Sequence, residues 1–361
     1  MLVLDDSGDR KAGRHTAHVA RQYLGSLGKT DNGIVAVTSL WADERVYWPV
    51  DVVPYTPASR LAKGRTDPAF RTKPQLAAEL VGAARQAGIG FRAVVADCFY
   101  GDNTGFTEAL GRAGVAYVLA VKPRRGAWAL AEEVHTPREA AAALAWAGPE
   151  EPGAWTPVTR RFRDGHTQTW WAADAALPAA GWGPDRRTRL VVATTDPATL
   201  PKPTTWYLVT NLPRRGRQRA SAASAFAPAD LAEVVRCYSL RNWVEQGYKQ
   251  VKGELGWADF QVRSDRATRR HWQLVACAFS FCWRAWFAEP SLAPAPPDAP
   301  PATAGARGET TGRQPQQARR GGGLAGDAAP GARLADPVGR ARALVARVVD
   351  SAPAGPAQAA A

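Results

Sequence analysis

The sequence predicts an α/β protein: helices flank a mixed sheet, a β-rich insertion precedes the last functional helix, and a disordered Ala/Pro/Gly-rich tail ends the chain. Three observations carry that prediction. Between residues 33 and 122, short apolar runs alternate with helical periods, as in a sheet with crossover helices. Residues 160–212 hold β-branched and aromatic runs separated by polar turns. From residue 288 onward Ala, Pro and Gly dominate, and such a composition cannot bury enough surface to order itself.

Taken in order, LVLD (2–5) reads as a buried strand that ends in acids. The next stretch, with Lys11, Arg14, His15, His18, Arg21 and Lys29, has few apolar residues and reads as a long basic connection. GIVAVTSLWA (33–42) and RVYWPVDVV (45–53) are separated only by Asp43 and Glu44 and predict a hairpin. KPQLAAELVGAARQAG (73–88) is helical, with Pro near its start and Gly at its end. FRAVVAD (91–97) is a strand ending at Asp97, NTGFTEALGRAG (103–114) a helix, and VAYVLAVK (115–122) a strand. The first three strands meander and the last two follow helical crossovers. Helical residues are expected within 132–148, strands at 160–177, 189–196 and 205–212, one helix across 228–255, and a strongly apolar core helix at 267–287.

The formal net charge is +13 and the isoelectric point about 10.0, a balance that favours a polyanionic partner, most commonly nucleic acid. The tail contributes eight Arg against six acids, so most of the excess belongs to residues 1–287. Cys98, Cys237, Cys277 and Cys282 form no C-x-x-C pair and no zinc-type cluster. They read as reduced thiols, with Cys277 and Cys282 expected in the core. No apolar run approaches the ~18 residues of a membrane span.

YSLRNWVEQGYKQVK (238–252) concentrates the chemistry. On one continuous helix Tyr238, Arg241, Glu245 and Lys252 fall within about 60° of arc along about 21 Å. A solvated charged face is the ordinary reading of such a stripe. The flanking Trp243, Val244, Val251, Leu255 and Trp257 argue instead for a packed helix. A carboxylate can hold a divalent metal while Arg and Lys grip phosphates beside it. Mg²⁺ needs further hard oxygen ligands, and Asp5, Asp6 and Asp97 stand at strand ends. If the first and fourth predicted strands are parallel neighbours, those ends lie side by side.

At this point the residues resemble a known family. The pattern Tyr-x2-Arg-x3-Glu-x6-Lys, met by Tyr238, Arg241, Glu245 and Lys252, is similar to the signature of DDE transposases of bacterial insertion sequences. LDDSGDRKAG, ARQYLGSLGK, VVADCFYGDN, YVLAVKP and ELGWADFQVRS add to the resemblance, which covers roughly residues 2–287. It implies a ribonuclease-H-like fold. Residues 1–122 and 213–287 would form the two parts of the catalytic domain, 123–212 the insertion between Asp97 and Glu245, and 288–361 the tail. The implied catalytic triad is Asp6 or its neighbour Asp5, with Asp97 and Glu245. Asp6 is preferred as the metal ligand because the family's first Asp is usually followed by Thr or Ser, and Ser7 follows here. Tyr238, Arg241, Lys252 and Lys249 would contact DNA.

The implied cofactors are two Mg²⁺ ions, with Mn²⁺ as a substitute. The implied reaction is cleavage at the transposon ends followed by attack of the freed 3′-OH on target DNA. The implied partners are inverted-repeat ends, a target duplex and a second copy on DNA, with no membrane, in a cytoplasmic, nucleoid-associated setting. Relatives carry an N-terminal DNA-binding segment before the first catalytic strand, which here starts at Leu2. A truncated, non-catalytic DNA-binding remnant is therefore the alternative expectation. Of the other residues singled out, Lys11, Arg14, His15 and Arg21 suit either DNA backbone or solvent. Trp170, Trp171 and Trp182 suit core packing, Lys122 stands near a strand end where phosphate could approach, and His271 suits a structural or DNA-proximal place.

Overall fold

The computed structural model describes residues 1–124, 136–162, 165–175, 188–215 and 225–288. The tail from 289 onward, the start of the helical stretch expected at 132–148, and Trp182 lie outside the described residues. Ten strands form one sheet: β1 (Leu2–Arg10), β2 (Ala20–Leu24), β3 (Lys29–Ala42), β4 (Tyr47–Tyr55), β5 (Val94–Ala96), β6 (Tyr117–Ala120), β7 (Thr156–Arg161), β8 (Thr167–Ala175), β9 (Arg189–Thr194) and β10 (Thr205–Thr210). Their order is β2-β3-β1-β5-β6-β10-β9-β8-β7, with β4 also paired to β3. β1 runs antiparallel to β3 and parallel to β5, and β5 runs parallel to β6. The condition set out above, a parallel pairing of the first and fourth predicted strands, is therefore met. The strands expected at 189–196 and 205–212 are present as β9 and β10, whereas the run 160–177 spans the end of β7 and the whole of β8, two strands in place of one; all of them extend the same sheet through the antiparallel pairing of β10 with β6.

Other features also depart from expectation. β1 does not end at its acids but runs on to Arg10. The basic connection contains β2, whose residues pair with Lys29–Gly33 of β3. Only Leu24 of that strand is fully buried, and Tyr23 is 58% exposed, so no apolar run marked it. The expected helix over 228–255 is two helices, α5 (Leu231–Ser239) and α6 (Asn242–Glu254). Bonds from the Arg241 N–H to the Tyr238 carbonyl, and from Trp243 and Val244 to Leu240 and Arg241, tighten the joint into a 3₁₀-type turn. Tyr238 therefore does not share one continuous helical stripe with Glu245 and Lys252.

Helices cover both faces. α1 (Lys73–Gln86) begins at a reciprocal cap: the Thr72 hydroxyl accepts from the Gln75 N–H, and Gln75 Oε1 accepts from the Thr72 N–H. Its Leu76, Leu80, Val81 and Ala84 bury against Leu2, Leu4, Val94 and Ala96, together with α2 (Cys98–Gly101), α3 (Thr104–Arg112) and α4 (Pro137–Ala142). On the opposite face Val3, Val95 and Val118 meet α5, α6 and α7 (Asp265–Ala288). Tyr47 anchors that side. Its ring stacks on Trp243 at 4.5 Å, and its carbonyl accepts from Trp283 Nε1 at 2.7 Å.

Cys282 is buried as expected, but Cys277 is exposed. It lies on the α7 face shared with exposed Leu274 and Phe281, away from the core. All four thiols are free. Among the described residues no helix is long and apolar enough to cross a membrane.

Gly101 closes α2 against β6. A Cβ at that position would stand 1.9 Å from the Ala120 carbonyl oxygen, so only glycine allows this approach. Gly101→Ala should destabilise the fold by about 1–3 kcal/mol through overpacking, lowering the urea midpoint without changing the slope. An unaltered midpoint would contradict the tight seat of α2.

Candidate active site

β1 is buried on both faces, and its side chains alternate between them. Val3 belongs to the α5–α7 side, and Asp5 follows it two residues on; Leu4 belongs to the α1 side, and Asp6 follows it. The two neighbouring acids therefore point in opposite directions. Asp6 ion-pairs with Lys73 at the start of α1. That lysine also lies over the Tyr55 and Phe99 rings at 5.7 and 5.5 Å.

The parallel pairing matches Leu2 with Val94 and Val3 with Val95. Continued two residues further, the same register sets Asp5 beside Asp97, and Asp97 shares the face of Val95. Asp97 also caps α2, its Oδ1 accepting from the Phe99 N–H at 3.0 Å. Burial pushes the Asp5 carboxyl up to about 7; Arg241 pulls against this, and the charge of Asp97 adds to it.

Arg241 enters this pair from the α5–α6 joint. One guanidinium nitrogen lies 3.3 Å from Asp5 Oδ2 and another 3.2 Å from Glu245 Oε1. Burial works against its charge, but Asp5, then Tyr238, Asp97 and Glu245, hold its pKa above the ordinary guanidinium value. Its Nε is buried without a hydrogen-bond partner. Arg241 and Asp5 are largely buried, whereas the Glu245 side chain is 62% exposed. Among the described residues no three His, Cys, Asp or Glu side chains stand close enough to hold one metal ion. Arg241 is what joins Asp5 to Glu245.

Tyr238 packs its ring against Trp206 at 4.9 Å, and its hydroxyl is pushed up to about 12 by burial, with Asp97 and Asp5 contributing. It reaches the cluster from α5, across the turn from Glu245. Lys252 is engaged elsewhere: its Nζ lies 2.7 Å from Asp9 Oδ1, and the other Asp9 oxygen accepts from Trp257 Nε1 at 3.0 Å. Lys249 is exposed on α6.

Lys11 donates to the Ala258 and Phe260 carbonyls and sits 3.5 Å from the centre of the Phe260 ring, so it straps the basic connection to the end of α6. Arg14, His15 and Arg21 are exposed. His271 reaches the Gly256 carbonyl at 2.9 Å, and Lys122 stands 3.7 Å from Asp102. Trp170 is core, and Trp171 packs against Trp146. Sequence reasoning did not single out Lys73, Asp9 or Tyr248, the last of which meets the Thr38 hydroxyl at 2.5 Å and has its own hydroxyl pushed up by burial and then by the charge of Asp5. Of these, Asp9 was accessible to period-two counting from Asp5.

A family model described as DDE superfamily endonuclease matches residues 1–182, which include Asp5, Asp6 and Asp97. The chain belongs to the DDE superfamily. A probable transposase for insertion sequence element IS701 from Microchaete diplosiphon is 34% identical over 263 residues. That match covers 73% of this chain, and the chain spans 60% of the relative's length. The mixed sheet with helices on both faces is consistent with the ribonuclease-H-like fold of DDE proteins.

In this DDE superfamily chain the Lys252–Asp9 pair should be structural. Lys252→Met leaves a buried carboxylate without its cation and should cost about 2–4 kcal/mol in chemical denaturation. Adding Asp9→Asn should recover most of the loss. A Lys252→Met protein as stable as the wild type would refute that role.

Proposed function

We propose that this chain is the catalytic region of an insertion-sequence transposase, which cuts DNA strands at element ends and joins them to a target with the help of divalent cations. The observation that carries the reading is the side-by-side placement of Asp5 and Asp97, with Glu245 tied to Asp5 through Arg241. The similarity to a probable transposase supports it.

We assign the metal ligands to Asp5, Asp97 and Glu245, with Asp5 in place of Asp6 because of the direction in which β1 points each side chain. The donor chemistry fits a hard cation: all three offer carboxylate oxygens, and the raised pKa of Asp5 reflects burial first and the charge of Asp97 after it, both of which a bound dication would offset. When bound, Mg²⁺ or Mn²⁺ would supply Lewis-acid polarisation of the scissile phosphate and a water of lowered pKa. The chain's own residues do the positioning. Arg241 balances the carboxylates and presents a planar donor set suited to phosphate oxygens. Tyr238 offers a phenolic donor beside Asp97, and Lys249 an exposed charge for the DNA backbone. Lys252 holds the far end of β1 through Asp9, so its contribution to DNA contact is indirect. Asp6 and Lys73 fix the start of α1 against the same strand.

The decisive measurement is divalent-metal-dependent nicking of a duplex carrying the inverted repeats that flank the gene. Glu245→Gln and Asp5→Asn should each abolish nicking while leaving DNA affinity within a few-fold of wild type. Asp6→Asn should retain measurable nicking. Parallel loss of binding and nicking in Glu245→Gln would argue against a ligand role, and an inactive Asp6→Asn beside an active Asp5→Asn would reverse the assignment.

Arg241→Ala should weaken DNA binding and lower the slope of log affinity against log salt by about one phosphate contact, ~0.9 for duplex DNA. A slope equal to wild type would contradict its contact with phosphate.

A further inference from the structure

One cation in the sheet extension is built into an unusual setting. Arg160, on β7, has its guanidinium carbon 4.3 Å from the centre of the Phe162 ring, 4.6 Å from that of Trp170 and 4.4 Å from that of Trp206. It forms no ion pair with any carboxylate among the described residues, and its Nε is buried without a hydrogen-bond partner. Its cross-strand neighbour Gln168 offers no rescue, because Gln168 Oε1 already accepts from Trp170 Nε1 at 3.0 Å. Burial pulls the guanidinium pKa down to about 10. A cation kept partly out of water without an anion is costly unless something compensates, and three aromatic faces do so in part.

The location gives that cation a purpose. Val158, two residues before Arg160 on β7, packs in the layer with Trp170, Ala172, Ala193 and Val235 of α5. Arg160 therefore faces the same side of the sheet as Asp5 and Asp97. Trp206 links the two regions directly: it lies against Arg160 on one side and against the Tyr238 ring at 4.9 Å on the other. Arg160, Trp206, Tyr238 and Arg241 thus form a line of successive neighbours from the sheet extension to the carboxylate cluster. A DNA strand presents a phosphate about every 3.4 Å of duplex axis, so a duplex seated at the acids meets further phosphates along that line.

We propose that Arg160 is a preformed phosphodiester contact, held flat by Phe162, Trp170 and Trp206, through which the sheet extension grips the DNA backbone next to the site of cleavage. This rests on the transposase reading above and adds a residue to it. The rings fix the plane of the guanidinium before DNA arrives, so little side-chain freedom is lost on binding. Phosphate oxygens then take the place of the missing carboxylate.

The test uses the full chain and a duplex bearing the flanking inverted repeats. Arg160→Met keeps much of the packing volume and removes the charge. It should lower the salt slope of binding by about 0.9 and weaken affinity several-fold at low salt, with thermal midpoint little changed. Arg160→Lys should keep the slope near wild type. A wild-type slope in a folded Arg160→Met protein would overturn the proposal while leaving the transposase reading intact. A wild-type chain with no affinity for duplex DNA would sink both. If Arg160→Met fails to fold, phenylglyoxal modification of the wild type mapped by mass spectrometry decides: DNA should protect Arg160, and equal modification with and without DNA would overturn the contact.

Discussion

The carboxylate-bearing end of this fold is governed by a charge problem. Asp5, part-way along β1, meets Asp97 at the end of the adjacent parallel strand β5, and the Asp5 side chain is only 13% exposed. Two such carboxylates repel each other and lose hydration together, so a compensating cation is part of the structure rather than an accessory. Arg241 fills that role. Its flat guanidinium spans the gap from Asp5 to Glu245, a geometry that the single point charge of a lysine would not reproduce. The break between α5 and α6 follows from the same demand. A straight helix would carry Arg241 along a fixed spiral, whereas the tight turn at Leu240–Arg241 lets Tyr238 pack on Trp206 while Arg241 reaches β1.

Much of this was legible in the chain. The order of strands and helices allows β1 and β5 to lie as parallel neighbours, and the pairing of their acids follows once they do. The cap and apolar spacing of α1 are written plainly at Thr72, Gln75, Leu76, Leu80 and Ala84. What could not be read was which of Asp5 and Asp6 faces the last helices. β1 opens with three apolar residues in a row because both of its faces are covered, so alternation leaves no mark on the sequence. Ser7, which favours Asp6 by resemblance to the family, says nothing about the direction of a side chain. The helix joint was equally silent, since LRN contains neither Gly nor Pro and the break is imposed by tertiary contacts.

The stretch after β6 illustrates a different limit. Its strands were visible as β-branched and aromatic runs, but their attachment was not. A β-rich segment can fold as a separate body or add to an existing sheet, and local patterning is the same in both. Here β10 pairs with β6, and the added strands prolong the platform on which the helices lie. The consequence is chemical as well as architectural. Aromatic side chains of β8 and β10 become continuous with α5, so the ring of Trp206 sits between an arginine of the extension and the tyrosine beside the carboxylates.

Charge counting also looks different once partners are known. A net of +13 suggests a broad basic surface, yet several of the cations that sequence reading singled out serve the fold itself. Lys11 is bound to two carbonyls and a phenyl ring, and Lys252 to Asp9. Lys73, which that reading passed over, is bound to Asp6. These three fasten the basic connection, α6 and α1 to one another around β1, and their removal would loosen the frame that aligns the acids. The charges left for a polyanion are the exposed ones, such as Arg14, Arg21 and Lys249, and the few held in place by rings or at the acids. For such a surface, affinity for DNA depends less on the total charge than on where fixed cations stand relative to the carboxylates. A mobile lysine attracts any phosphate equally, but a guanidinium locked beside the carboxylates selects the phosphates in register with it.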